Sequence, residues 1–208
     1  MEPRVIDIYS RTVVQVDSFQ RAAAAGLWGV IHKATEGSTY HDPKYRLRRK
    51  DANDAGLLWG AYHFNYGDNY KAQVKNYLDW AEPDANTLLV LDYEDHKSNM
   101  SIESAVAFMK EVEQTCGKSC AIYSGNRLKE NIGYLGEADK AYITSKRLWL
   151  CQYGPRAVLP KGFAKYFLWQ YTGDGIGPSP HTIAGFQDGQ DMNVYNGTRD
   201  ELATEWSD

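Results

Sequence analysis

Leu88-Leu89-Val90-Leu91-Asp92-Tyr93-Glu94 is the most apolar strand pattern in the chain, and it runs directly into two carboxylates. A helical pattern, Ile102–Thr115, follows it. Ser101 is placed to cap that helix, with Ser104 where a capping box usually has Glu and with Glu103 in the first turn. Short apolar runs recur on both sides: Val5–Ile8, Gly29–Ala34 and Leu57–Phe64 before it, Ala121–Ser124, Leu148–Gln152 and Tyr166–Tyr171 after it. Helical patterns at Ser18–Ala25, Pro43–Ala55, Tyr70–Trp80 and Gly125–Asn131 lie between them. Such alternation predicts a parallel sheet with crossover helices. From Leu148 onward the strand-like runs are separated by loops, with no helical pattern before Arg199. Five βα units followed by about three strands predict an α/β fold, an irregular TIM-like barrel lacking its last outer helices, as one domain over residues 1–208. The competing architecture, an open doubly wound sheet, needs a glycine-rich turn after its first strand, and Tyr9-Ser10-Arg11-Thr12 does not supply one.

Composition narrows the function. A chain of 208 residues can bury roughly 70% of its unfolded surface, so it needs no disulfide or metal to fold. With 43% hydrophobic and 24% charged residues it is an ordinary folded protein. The net charge of −4 and the absence of a long basic run argue against nucleic acid or an anionic membrane as partner. Apolar runs fall far short of the ~20 residues of a membrane span, so no membrane anchor is expected. Met1 to Asp7 enters a strand pattern without the features of a signal peptide. That predicts a protein made in the cytoplasm and released by another agent, with a secreted mature chain as the alternative. Cys116, Cys120 and Cys151 read as ordinary thiols, with a local Cys116–Cys120 bridge as the alternative. The unusual number is the aromatic content, 13% of the chain with 15 Tyr and six Trp, which suits a partly wet groove and permits a carbohydrate site.

In parallel α/β folds chemistry sits at the carboxyl ends of strands. Asp7 lies in Val5-Ile6-Asp7-Ile8, Asp92 and Glu94 end the apolar strand, and Asp191 opens Asp191-Met192-Asn193-Val194-Tyr195. Side chains alternate along a strand, so Asp92 and Glu94 share a face with Cα atoms about 6.6 Å apart. Crowded carboxyls do not both ionise easily, and the one that keeps its proton can act as a general acid. Glycosidic cleavage needs that acid, and a negative charge beside the oxocarbenium-like centre. The plainer readings are solvated loop acids for Asp92 and Glu94, a paired buried acid for Asp7, and a turn residue for Asp191. His63 reads as a hydrogen-bonded histidine of the pocket floor, the alternative being a metal ligand beside Asp7, Asp92 and Glu94. No metal or cofactor is expected. His32, His41, His96 and His181 show no pairing pattern and read as surface or loop residues.

The segments together resemble the glycoside hydrolase family 25 lysozymes, the Chalaropsis-type N-acetylmuramidases common among phage endolysins. They are Val5–Ile8, Ile31-His32-Lys33-Ala34-Thr35-Glu36-Gly37 with Tyr40-His41-Asp42-Pro43, Gly60–Phe64, Leu91–Glu94, Ile122–Ser124, Leu148–Tyr153, Trp169–Thr172 and Asp191–Gly197, in family order over nearly the whole chain. The resemblance implies a barrel of five βα units and three further strands. It implies hydrolysis of the β-1,4 bond between N-acetylmuramic acid and N-acetylglucosamine in bacterial peptidoglycan, by a monomer without a cofactor. By position Glu94 is then the general acid, and Asp92 the partner that orients or stabilises the substrate's N-acetyl group. Asp7 and Asp191 match the other two acids, and Tyr62, His63, Tyr123, Trp149 and Trp169 are substrate-binding. Two departures stand out: Ser10 is followed by Arg11 and Thr12, where the family has small polar residues and a Gln or Asn, and Gly173–Gly189 is long, with Asp188 as the alternative to Asp191. No separate cell-wall-binding module is expected, so targeting falls to the groove itself. The functional alternatives are a non-catalytic glycan-binding barrel and a metal-dependent hydrolase using His63.

Overall fold

The structure, a computed structural model, describes residues 2–94, 100–187 and 189–208. Its elements run β1 (Val5–Ile8), α1 (Ser18–Ala24), β2 (Gly29–Glu36), β3 (Tyr40–His41), α2 (Tyr45–Asp54), β4 (Leu58–Phe64), α3 (Tyr70–Ala81), β5 (Leu88–Asp92), α4 (Ile102–Cys116) and β6 (Cys120–Ser124). Then come α5 (Asn126–Asn131), α6 (Glu137–Thr144), β7 (Leu148–Cys151), β8 (Leu168–Thr172), β9 (Asp191–Val194) and α7 (Arg199–Ser207). The predicted helix before β6 is capped as expected. Ser101 Oγ accepts from the Ser104 N–H at 3.1 Å, and Gly117 ends the helix in the left-handed conformation at φ 71°, which costs glycine nothing.

Strand pairing closes β1, β2, β4, β5, β6, β7, β8 and β9 into a barrel, because β1 pairs with both β2 and β9. β3 is a short hairpin arm on β2. All barrel pairs are parallel except those of β9, which runs antiparallel to both β1 and β8. The five βα units and three following strands are those the sequence predicts. It gave no warning of β3 or α6: the first is two residues long, and the second buries only Ile143.

Strand alternation divides the apolar residues into two cores. Ile6, Ile8, Val30, Ala61, Leu89, Leu91 and Ile122 point outward and pack under the helices. Val5, Ile31, Leu88, Val90, Ala121, Tyr123 and Trp149 point into the barrel. Trp206 of α7 closes the amino end of the lumen. It is fully buried, its indole N–H donates to the Trp59 carbonyl at 2.9 Å, and it lies where a Cβ on Gly29 or Gly60 would come within 3.1–3.2 Å of it. The carbonyls ending α7 are held by Arg147, which reaches Trp206 O at 3.2 Å and Asp208 O at 3.1 Å, and by Lys118, which reaches Ser207 O at 3.1 Å. Among the described residues no helix is long and apolar enough to cross a membrane. Cys116, Cys120 and Cys151 are free thiols.

Candidate active site

At the carboxyl end of the barrel lies a cleft of about 250 Å³, lined by Asp7, Tyr9, Lys33, Tyr62, Phe64, Asp92, Glu94, Tyr123, Trp149, Tyr153, Asp174 and Asp191. The lining is strongly acidic, and Lys33 is its cation among the described residues. Lys33 pairs with Glu36 and lies over the Phe64 ring at 4.7 Å. Asp92 is the last residue of β5 and is buried, whereas Glu94, two residues on, is exposed at the rim. The deep-and-shallow arrangement read from Asp-x-Glu is therefore present. Cys151 Sγ sits 3.8 Å from Glu94 Oε2.

Asp7 and Asp191 face each other directly across the antiparallel pair of β1 and β9. Directly opposed acids repel. Burial first, and then the Asp191 charge, pushes the Asp7 carboxyl well above the usual carboxylate range. Asp191 is pushed up to about 7 by burial and then by Asp174 and Glu94. Both carboxyls are thus harder to ionise than free ones, and their titration belongs to the pair.

Opposing this, Asp7 is clamped by two amides. Gln170 Nε2 donates to both its oxygens at 3.0 and 3.1 Å, and Asn193 Nδ2 donates to Oδ1 at 2.8 Å. Each amide is oriented by a donor behind it. The Trp149 indole N–H donates to Asn193 Oδ1 at 2.5 Å, and the Tyr123 hydroxyl donates to Gln170 Oε1 at 2.7 Å. An indole can only donate, so the Asn193 NH₂ must face Asp7. Burial and the neighbouring acids also hold the Tyr62 and Tyr123 phenols protonated, with their acid dissociation pushed well up.

Of the residues predicted from sequence, the structure brings Glu94, Asp92, Asp7, Asp191, Tyr62, Tyr123 and Trp149 into one cleft. His63 and Trp169 are not in it, and strand parity is the reason. His63 follows inward-facing Tyr62, so it points outward, bonded to Thr35 Oγ1 at 2.7 Å and Gln73 Oε1 at 3.0 Å and stacked on Phe108. Burial lowers its pKa to about 4, and its outward direction keeps it from joining Asp7, Asp92 and Glu94 in a metal site. Trp169 precedes inward-facing Gln170; its ring packs in the outer core and its N–H donates to the Gln152 carbonyl at 2.7 Å. His32, expected at the surface, is fully buried. Asp188 and His96 lie outside the described residues. Sequence reading missed Gln170, Asn193, Lys33, Tyr9, Tyr153 and Asp174. The first four share the parity of known lining residues, so that signal was available. Among the described residues no group of three or more His, Cys, Asp or Glu is arranged to hold a metal ion.

The sequence profile described as glycosyl hydrolases family 25 matches residues 6–179. The protein YegX of Escherichia coli O157:H7 is 29% identical over 178 residues, covering 82% of this chain; the chain spans only 60% of that relative's length. Among solved structures, the bacterial lysozyme from Streptomyces coelicolor superposes with a TM-score of 0.82 at 23% identity, over 97% of this chain and 95% of the other. A family 25 lysozyme from Aspergillus fumigatus superposes with a TM-score of 0.76 at 26% identity, over 99% of each chain.

Proposed function

Because this chain belongs to family 25 of the glycosyl hydrolases, we propose that it is a peptidoglycan hydrolase, a muramidase cleaving the β-1,4 bond between N-acetylmuramic acid and N-acetylglucosamine. The observation that carries the reading is the convergence of Asp7, Asp92, Glu94 and Asp191 with Tyr62, Tyr123 and Trp149 in one open cleft at the end of the barrel where such folds do their chemistry. Similar proteins bear the same activity in their names, the Streptomyces coelicolor lysozyme and Lysozyme M1 of Streptomyces globisporus among them.

In this reading Glu94, exposed at the rim, gives its proton to the leaving glycosidic oxygen as the C1–O bond breaks. Buried Asp92 holds the substrate's N-acetyl group, and its negative charge faces the developing oxocarbenium-like centre. Water then adds to the sugar, and its proton returns to Glu94. The Asp7–Asp191 pair, clamped by Gln170 and Asn193, supplies fixed negative potential beneath the sugar without requiring two full charges. In this reading the protein acts at the bacterial cell wall.

Reducing-end release from purified peptidoglycan, with mass analysis of the fragments, tests this. Wild type should create N-acetylmuramic acid reducing ends. Glu94→Gln should lower the rate by at least about a hundredfold, as expected on losing a general acid, while far-ultraviolet circular dichroism stays unchanged. Glucosamine ends would change the bond assigned. An active Glu94→Gln variant would remove Glu94 from its role, and binding without cleavage by wild type would favour the non-catalytic barrel.

A further inference from the structure

The turn after β1 is where this sequence departs from the family pattern, and it is built more firmly than a surface turn requires. Its Thr12 N–H donates to Tyr9 O at 2.9 Å, and the Tyr9 N–H donates to Thr12 Oγ1 at 3.2 Å. Buried Asp42 accepts from the Ser10 N–H at 2.8 Å. Arg48 reaches in from α2, only 7% exposed, and its guanidinium donates to Tyr9 O at 2.6 Å and Thr12 O at 2.7 Å. Its remaining bond goes to His32 Nε2 at 3.2 Å, while His32 Nδ1 bonds Lys33 O at 2.7 Å. Arg only donates, so His32 Nε2 must accept and its proton sits on Nδ1. Burying an arginine is costly unless its donors are satisfied, and here they are spent on fixing one turn.

That turn carries Tyr9, which has the parity of Asp7 and sits above it at the mouth of the cleft, 42% exposed. A tyrosine ring in a cleft lined by carboxylates offers what the acids cannot, a flat apolar face for the C–H face of a pyranose. Holding the backbone beneath it in place removes the ordering cost that a loop residue otherwise incurs on binding.

We infer that Tyr9 is a sugar-stacking residue of the cleft and that Arg48 is the positioning residue that presents it. This rests on the glycan-cleft reading above and extends it to residues outside the acid cluster. Lysine at position 48 keeps the charge but cannot span both carbonyls and His32.

The test is steady-state kinetics on soluble glycan strands, with melting temperatures and binding of the strands measured alongside. Tyr9→Ala should raise KM about three- to tenfold, the span of one aromatic contact, with kcat within twofold, and Tyr9→Phe should restore the wild-type KM. Arg48→Lys should raise KM similarly, yet add less than twofold in the Tyr9→Ala background; Thr12→Val loosens the same turn from outside the core and should raise KM about twofold. An unchanged KM in Tyr9→Ala would overturn the stacking role. A KM effect of Arg48→Lys or Thr12→Val that persists undiminished without the Tyr9 ring would overturn the positioning role. Wild type that neither binds nor cleaves the strands would instead overturn the glycan-cleft reading, and this inference with it.

Discussion

Asp191→Asn should make the protein more stable at pH 8 and leave it unchanged at pH 4. Asp191 has a folded-state pKa of about 7 against a reference of 3.8. A raised carboxyl pKa means that the folded state holds the proton more tightly than the unfolded chain. Below about pH 4 both states are protonated and the residue contributes nothing. Between about 4 and 7 the unfolded chain ionises while the fold resists, so stability falls as pH rises, and above 7 the loss is constant. Three pH units correspond to a ceiling of about 4 kcal/mol. At ~2–4 °C per kcal/mol for a protein of this size, a net gain of half the ceiling raises Tm by roughly 4–8 °C. Asparagine keeps the shape, can still accept from the Asp174 N–H, and can donate to Asp7. Melting curves of both proteins from pH 4 to 8 provide the assay. The two Tm profiles should meet near pH 4 and separate up to about pH 7, with some slope remaining in the variant because Asp7 still titrates. A constant offset across the range, or a variant less stable at pH 8, would refute the electrostatic account.

Trp206→Ala opens the amino end of the lumen and should cost about 3–5 kcal/mol, measured by urea unfolding, because the glycines beneath the ring cannot fill the space. Trp149→Phe removes the donor that orients Asn193, so its amide can turn a carbonyl toward Asp7; kcat should fall several-fold, and the acid limb of the pH–rate profile should move upward. Trp169→Phe loses one bond to the Gln152 carbonyl and should cost about 1 kcal/mol in stability while leaving the rate per folded molecule within twofold.

The strand order was legible because every barrel strand but β9 announces itself as a short apolar run, and the first five crossovers carry a helical period. The site was legible in part. Asp-x-Glu on β5 needed only the rule that side chains alternate. That rule also sorts Tyr62 from His63 and Gln170 from Trp169, but residue type outweighed it: a histidine and a tryptophan look functional, whereas a glutamine does not. The amides that hold Asp7 have no signature of their own. Parity turns Gln170 and Asn193 inward, but their joint hold on Asp7 becomes recognisable only when β8 and β9 are known to be neighbours with those residues paired across them. The capping box that starts α7, Thr198 with Glu201, was present in the sequence and marks a helix whose importance lies in one tryptophan near its end.

Asp191 shows why closure matters to the chemistry. A search at the carboxyl ends of strands finds Asp92 and Glu94, but Asp191 is the first residue of its strand. It reaches the same rim because β9, alone among the barrel strands, runs against its neighbours, which turns its amino end toward the cleft. The reversal brings Asp191 opposite Asp7, where its charge adds to burial in lifting the Asp7 carboxyl, while Asp191 itself is lifted by burial, Asp174 and Glu94. It also sets Asn193, two residues on and on the same face, against Asp7 as a donor. One four-residue strand thus supplies both the charge that destabilises the cleft and the amide that restrains it. The apolar plug at the other end of the barrel is independent of both. Substitutions at Trp206 should therefore change stability at every pH, whereas those at Asp191 should change it only where the carboxyl ionises.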